Sequence, residues 1–437
     1  MGPMNLSKDG SIFNYKLLKS LMMEHRGALI RDSWKKAGKC DVLLFRHDYD
    51  CGYSYNGKAY AHILDSLGHH FKCKKYAIET IATPYSRLFG DFAHGNPRTI
   101  NQFNMMISLL EKAISRIRGK EFAADWADRQ ISGLWLKIFD RTDPKIILGI
   151  QPDGPLCRAA KQRHIKVFDV QHGVIADEHP WYGQKFRNDS SADGLPDGFL
   201  CWDGQSEDVI RRWASEKGLE VLQVGNPWFI RFLVNDPGDE LVQDALKSYR
   251  IDKNTKPSIL VTLQWGFQEG HSRPASAYRP FPEALERAII ETEDVFDWNL
   301  RLHPVQLRGE EFVKVRTYLS ETFSPEKAAH WIDMSEAPLP IVLLHTDVHV
   351  TYDSTVIVEA GWMGIPSGML NKGLNEGPLE GYYEHERSIG LAESIPNDSE
   401  GIRQWIDEQL AKGRSVTALQ PNTDKIHAFI ERNMSKS

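Results

Sequence analysis

Two distant turns carry side chains able to move a proton or hold a phosphate. Gln151-Pro152-Asp153-Gly154 follows the apolar run Lys145-Ile146-Ile147-Leu148-Gly149-Ile150, and Arg301-Leu302-His303-Pro304 follows Asp297-Trp298-Asn299. Both runs read as strands, so each turn lies at a strand exit. In open parallel sheets, ligands bind just outside the carboxyl ends of the strands. An acid in one half and a histidine in the other, facing across a cleft, can carry out acid–base or nucleophilic chemistry on a phosphate-activated substrate. Asp153 and His303 are therefore the candidate catalytic residues. Asp153 can also be read as a helix-capping acid, and His303 as a histidine satisfied within the fold.

Three further clusters could bind the donor part of such a substrate. Ser354-Thr355 opens a helix after the strand Val348-His349-Val350-Thr351. A helix start offers unpaired N–H groups and a positive dipole end to phosphate, and hydroxyls there also serve as ordinary caps. Glu359, a turn further on, can accept from ribose hydroxyls. Arg301 brings positive charge beside His303. Gln171-His172-Gly173 ends another strand, with Gly173 allowing close backbone approach. His179-Pro180 has no strand before it and is a weaker candidate. Asp48-Tyr49-Asp50 matches a short pattern used for divalent metals, but the pattern is common by chance. His345, Asp347 and His349 are spaced as alternating core positions, so no metal site is expected.

These residues need a scaffold of alternating strands and helices. The apolar runs predict strands over 42–45, 145–150, 166–170, 199–202 and 220–224, then 259–262, 299–302 and 348–351. Helical spacing covers 59–67, 98–118, 122–139, 155–163 and 205–217, then 282–292, 308–320, 355–363 and 399–411. Such alternation means parallel sheets built from βαβ units. The expected organisation is two doubly wound α/β domains, 1–225 and 226–415, with a hinge near Gly225-Asn226-Pro227-Trp228. A last helix within 416–437 would pack back on the first domain. Residues 11–39 read as a basic amphipathic helix. The commoner outcome for such a helix is packing on its own domain with a solvated basic face; the other is lying on an anionic membrane surface.

A chain of 437 residues suits two domains. The net charge of −6 argues against a nucleic-acid binder. Cys40, Cys51, Cys73, Cys157 and Cys201 are odd in number and widely spaced, which suits a reducing cytoplasm. Met1-Gly2-Pro3-Met4 reads as a tag remnant, and no signal-peptide core or membrane span is expected.

The run from Arg158 to Ile175, including Gln171-His172-Gly173, resembles bacterial surface-polysaccharide glycosyltransferases of the GT-B type. Arg301-Leu302-His303-Pro304 and the block Ser354-Thr355…Glu359-Ala360…Gly364-Ile365-Pro366 agree with that resemblance in order and position. The set is most similar to enzymes that use CMP-activated acidic sugars, the bacterial sialyltransferases and β-Kdo transferases; Gln171-His172-Gly173 points toward the latter. Pro152 stands where that group usually has an acid. The resemblance implies a GT-B fold and transfer of an acidic sugar, foremost Kdo, from a CMP-sugar to a growing capsule or lipopolysaccharide glycan, oligosaccharide or lipid-linked. It implies Asp153 as catalytic carboxylate, His303 at the donor phosphate, and Ser354 and Thr355 at the phosphate or cytidine. No cofactor or metal is required, since a helix start, a histidine and an arginine can stabilise a CMP leaving group. The expected setting is cytoplasmic, with residues 11–39 as the route to the inner membrane face. Rival readings are a UDP- or GDP-sugar transferase, a CDP-polyol phosphotransferase, and a non-catalytic glycan-binding domain of the same fold.

Overall fold

The computed structural model describes residues 31–177, 179, 181–183, 192–249, 255–267, 278–375, 381–413 and 423–434. The chain divides into two compact units. One comprises residues 1–170, 190–199 and 432–437, and the other 171–189 and 200–431.

The first sheet contains β1 (Val42–Arg46), β4 (Ile78–Ala82), β5 (Ile146–Gly149), β6 (Lys166–Val170), β7 (Gly198–Cys201) and β8 (Glu220–Gln223) in the order β4-β1-β5-β6-β7-β8. The division between the two units falls within β7. β1 pairs in parallel with both β4 and β5, and β5 with β6. All five residues of β1 and all four of β5 are buried. A strand covered on both faces favours such apolar runs, and Arg46, the one charged residue among them, donates to the carbonyls of His94 and Ala59. Its core joins Leu43, Phe45 and Ile147 to Trp135, Ile138 and Phe139 of the helix Lys120–Thr142.

The second sheet has the order β10-β9-β11-β12-β13. Its strands are β9 (Ser258–Thr262), β10 (Asp297–Arg301), β11 (Val348–Thr351), β12 (Ser367–Met369) and β13 (Ala392–Ser394), all parallel. Ile259, Val261, Leu300 and Val350 pack with Leu285, Ile289, Trp331 and Ile402 from surrounding helices. Each sheet is thus the parallel, helix-covered layer expected for a doubly wound domain.

Several elements differ from expectation. The helix expected over 59–67 starts later and runs further, at His62–Cys73, and before it stands a hairpin, β2 (Tyr53–Tyr55) and β3 (Lys58–Tyr60). Asn56 and Gly57 connect the strands with φ of 51° and 71°, the two left-handed residues of a tight hairpin turn. Of the amphipathic helix expected over 11–39, residues 11–30 lie outside the described residues. The remainder contains only the 3-10 turn Trp34–Lys36. The expected hinge at 225–228 becomes a helix start: Gly225 has φ 82°, and Asn226 caps the helix Pro227–Val234. Helices at Pro325–Glu336 and Leu339–Leu344 and the strands β4, β12 and β13 were not foreseen. Among the described residues, no helix is long and apolar enough to cross a membrane.

Candidate functional site

Sheet topology singles out one edge in each sheet. From β1 the chain moves outward to β4, and from β5 it moves the other way to β6. From β9 it moves to β10, and from β11 to β12. The order therefore reverses between β1 and β5, and again between β9 and β11. Ligands of doubly wound sheets bind outside the carboxyl ends at such reversals.

At the first reversal, β5 exits into Gln151-Pro152-Asp153. Gln151 is held at φ 51°, an uncommon conformation for a residue with a side chain. Its N–H donates to Oδ1 of Asp169, a buried acid at the end of β6, at 3.0 Å. Asp169 thereby fixes the turn that presents Asp153. Asp153 caps the helix Gly154–Gln162, its Oδ1 accepting from Leu156 N–H at 2.8 Å. Its other oxygen takes no hydrogen bond among the described residues. Burial first, and then the charge of Asp128, raises its carboxyl to about 6, against the Leu156 N–H and Arg158, which lower it. Asp153 is thus a helix cap whose carboxyl is held above its ordinary range.

β1 exits beside it into His47. The His47 ring lies 4.3 Å from that of Tyr49, and its Nδ1 accepts from Tyr49 N–H. His47 was not among the expected residues, although the strand-exit reasoning that selects His303 applies to it equally. Asp48 and Asp50 are occupied within the fold. Asp48 accepts from Ser86 Oγ and Arg87 N–H. Asp50 is buried and accepts from the N–H groups of Ile63 and Leu64 at the start of the helix His62–Cys73.

At the second reversal, β11 exits into Tyr352-Asp353-Ser354-Thr355, and the helix Val356–Trp362 follows. Thr355 is exposed and makes no side-chain cap bond, whereas Ser354 Oγ accepts from Val356 N–H at 3.3 Å. Glu359 sits within the helix. Its Oε2 is shut off from solvent and has no hydrogen-bond partner among the described residues. Burial raises its carboxyl to about 8, opposed by the positive charge of Arg301. The helix is fixed by Trp362, whose ring packs edge-on against Trp202 at 5.9 Å and Phe229 at 5.4 Å.

Arg301 ends β10, and its Nη1 donates to the carbonyls of Met334 at 3.1 Å and Ala337 at 2.8 Å. Those carbonyls close the helix Pro325–Glu336, where a cation is favoured. Burial lowers the guanidinium to about 10. His303 caps a short 3-10 turn: its Nδ1 accepts from Val305 N–H, and Gln306 Oε1 accepts from its backbone N–H. Burial also lowers its pKa. A neutral ring accepting at Nδ1 carries its proton on Nε2, which makes Nε2 a hydrogen-bond donor.

Gln171-His172-Gly173 follows β6. The Gln171 side chain is occupied: Oε1 accepts from Trp202 N–H, and Nε2 donates to Gly173 O and Ser206 Oγ. His172 Nδ1 lies 3.0 Å from the Tyr182 hydroxyl. A Cβ at Gly173 would meet no atom within 4 Å. His179 Nδ1 accepts from the backbone N–H groups of Trp181 and Tyr182. His349 is a core residue, bridging Thr262 Oγ1 at 2.8 Å and Ser367 Oγ at 2.9 Å.

No protein-family model matches the chain, and no curated protein does. Solved structures do. A form of the wall teichoic acid polymerase TagF soaked with CDPG has a TM-score of 0.52 at 12% identity, covering 97% of each chain. A UDP-GlcNAc 2-epimerase from Methanocaldococcus jannaschii has a TM-score of 0.50 at 11% identity, covering 90% of this chain and 99% of its own. The fold is accordingly GT-B, with two parallel-sheet Rossmann-like domains.

Proposed function

We propose that this chain is a glycosyltransferase that takes its sugar from a nucleotide-activated donor. The observation that carries this reading is Glu359, a carboxylate with one buried, unpartnered oxygen, set behind the Ser354-Thr355 turn at a sheet reversal. An unmatched buried acceptor is costly, and a ribose hydroxyl donating to it would remove the cost. Ser354, Thr355 and the Nε2 donor of His303 are neutral groups suited to the donor's phosphate. Asp153, raised to about 6, suits a base acting on an acceptor hydroxyl near neutral pH. Gly173, at an open backbone position, leaves room for a ligand.

The favoured donor is a CMP-linked acidic sugar, foremost Kdo, with a growing surface glycan as acceptor. Its support is the order of Gln171-His172-Gly173, Arg301-Leu302-His303-Pro304 and Ser354-Thr355…Glu359 in the chain. A second reading, a CDP-polyol phosphotransferase, takes its support from the TagF likeness. Both would take a cytidine nucleotide. Thermal unfolding with CMP, CDP, UDP, GDP and ADP tests the proposal, because a ligand of the folded state raises the melting temperature. A shift with CMP supports the first reading and one with CDP alone the second. A shift with only UDP or GDP overturns the cytidine donor, and no shift at all overturns nucleotide use.

A further inference from the structure

The strand between the two candidate donor turns, β9, exits into Leu263-Gln264-Trp265-Gly266-Phe267. This exit is tied on both sides. Toward β10, Leu263 N–H donates to Arg301 O at 2.9 Å, and Gln306 Nε2, from the His303 turn, donates to Gln264 O at 3.4 Å. Toward β11, Thr351 Oγ1 donates to Thr262 O at 2.9 Å. The Phe267 ring meets Tyr352, just before Ser354, at 4.8 Å. Trp265 is thus bracketed between the His303 turn and the Ser354 turn.

Trp265 nevertheless stays 58% exposed. Gly266 follows at φ 78°, where a side chain would be strained, and a Cβ there would meet no atom within 4 Å. A single exposed indole on a protein surface is ordinary. One held at the carboxyl edge of a sheet reversal, on a loop fastened at both sides with most of its side chain exposed, is in position to cover a ligand. The largest flat face of a nucleotide is its base, and every base has a π-face that stacks on an aromatic ring.

We propose that Trp265 is the stacking platform for the nucleobase of the donor and helps position it. This rests on the nucleotide-donor reading above and goes beyond it in assigning the base a partner. Stacking of a base on an aromatic side chain is worth roughly 1–3 kcal/mol, or about 5- to 150-fold in affinity.

The test is calorimetric titration of the full chain with CMP, comparing wild type, Trp265→Ala and Trp265→Tyr, with melting temperatures measured in parallel. Trp265→Ala should weaken CMP binding by about 10-fold or more, and Trp265→Tyr, which keeps a flat ring, should restore most of it. Both variants should melt as wild type does, because the side chain is exposed. Equal affinity of wild type and Trp265→Ala overturns the stacking role and leaves the nucleotide reading standing. An equal loss in both variants also overturns it, pointing to a role of the indole other than its face. Failure of wild type to bind CMP or any other nucleotide overturns the nucleotide reading itself, and the stacking role with it.

Discussion

Replacing Asp153 by Asn separates the two functions of that side chain. Asn caps helices as well as Asp does, so Leu156 N–H keeps its acceptor, while the ability to take a proton is lost. Turnover should fall at least ~100-fold, the lower range for a positioned acid or base. Stability should move the other way. Burial raises the carboxyl from 3.8 to about 6, so the folded state favours the neutral acid. The stability this group contributes is complete below the unfolded value near 4 and is lost as pH rises through about 6. A gap of about two pH units at roughly 1.4 kcal/mol each gives about 3 kcal/mol as a ceiling. Since Asp153 is only half-buried, screening by solvent should reduce that to about 1–2 kcal/mol. Asp153→Asn should therefore be more stable than wild type at pH 7 and equal to it at pH 3.5. The assay pairs urea unfolding at both pH values with initial rates of sugar transfer. For wild type, kcat/KM should fall tenfold per pH unit below about 6. A variant with near-normal turnover, or a wild-type profile with no acid limb, would refute the assignment of Asp153 as base.

The remaining expectations concern Glu359, His349 and Asp50. Glu359→Ala should weaken nucleotide binding several-fold, up to about 10-fold, the worth of one hydrogen bond to a neutral group; unchanged affinity by titration would remove Glu359 from the ribose site. Burial lowers His349 to about 3, so its contribution to stability is present above about 6.5 and lost as pH falls through about 3. His349→Phe leaves Thr262 and Ser367 without their shared partner and should cost about 2–3 kcal/mol at pH 7, with a smaller loss at pH 4; a loss independent of pH would argue against a neutral core histidine. Asp50→Ala should lower stability by about 1–2 kcal/mol through lost capping of the helix His62–Cys73. A variant that instead changes only the response of activity to added divalent metal would overturn the capping role.

The strands buried on both faces were legible because their chemistry is local. Val42–Phe45 and Ile146–Leu148 are apolar runs that suit little else, and Val348–Thr351 is β-branched apart from His349. β12 and β13 were not legible: three residues carry no periodicity, and their placement is decided by distant packing. At Gly368 a Cβ would come within 2.7 Å of Ile395 and 2.8 Å of Trp405, a constraint visible only once those side chains are in place. Asn56-Gly57 carries a local hairpin signal, and the short strands on either side of it, three residues each, are too brief to show a periodicity of their own. The candidate site divides in the same way. The turn residues Asp153, His303 and Ser354 were legible from strand exits. The burial that leaves Glu359 Oε2 without a partner among the described residues is set by tertiary packing, and no local pattern encodes it. Arg301 was expected to offer charge to a ligand, but its Nη1 is directed at two backbone carbonyls.

The hydrogen bonds of Arg301 Nη1 bear on the chemistry proposed at the second reversal. With its Nη1 engaged by Met334 and Ala337, and with His303 neutral and donating from Nε2, the groups that the proposed function would turn to a phosphate are hydroxyls, a ring N–H and backbone N–H groups. Donors of this kind are fixed in direction, whereas a lysine or arginine side chain attracts any anion in reach. They also need no proton to be taken up before they act. The buried Glu359 fits the same logic, since a carboxylate near the phosphate would repel it if fully ionised, and burial holds Glu359 toward its neutral form. Under the proposed function, a phosphate met by neutral donors, beside an acid that a ribose hydroxyl would satisfy, would favour a whole nucleotide over free phosphate. Selectivity of that kind arises from matching directions and unmet hydrogen bonds rather than from net charge.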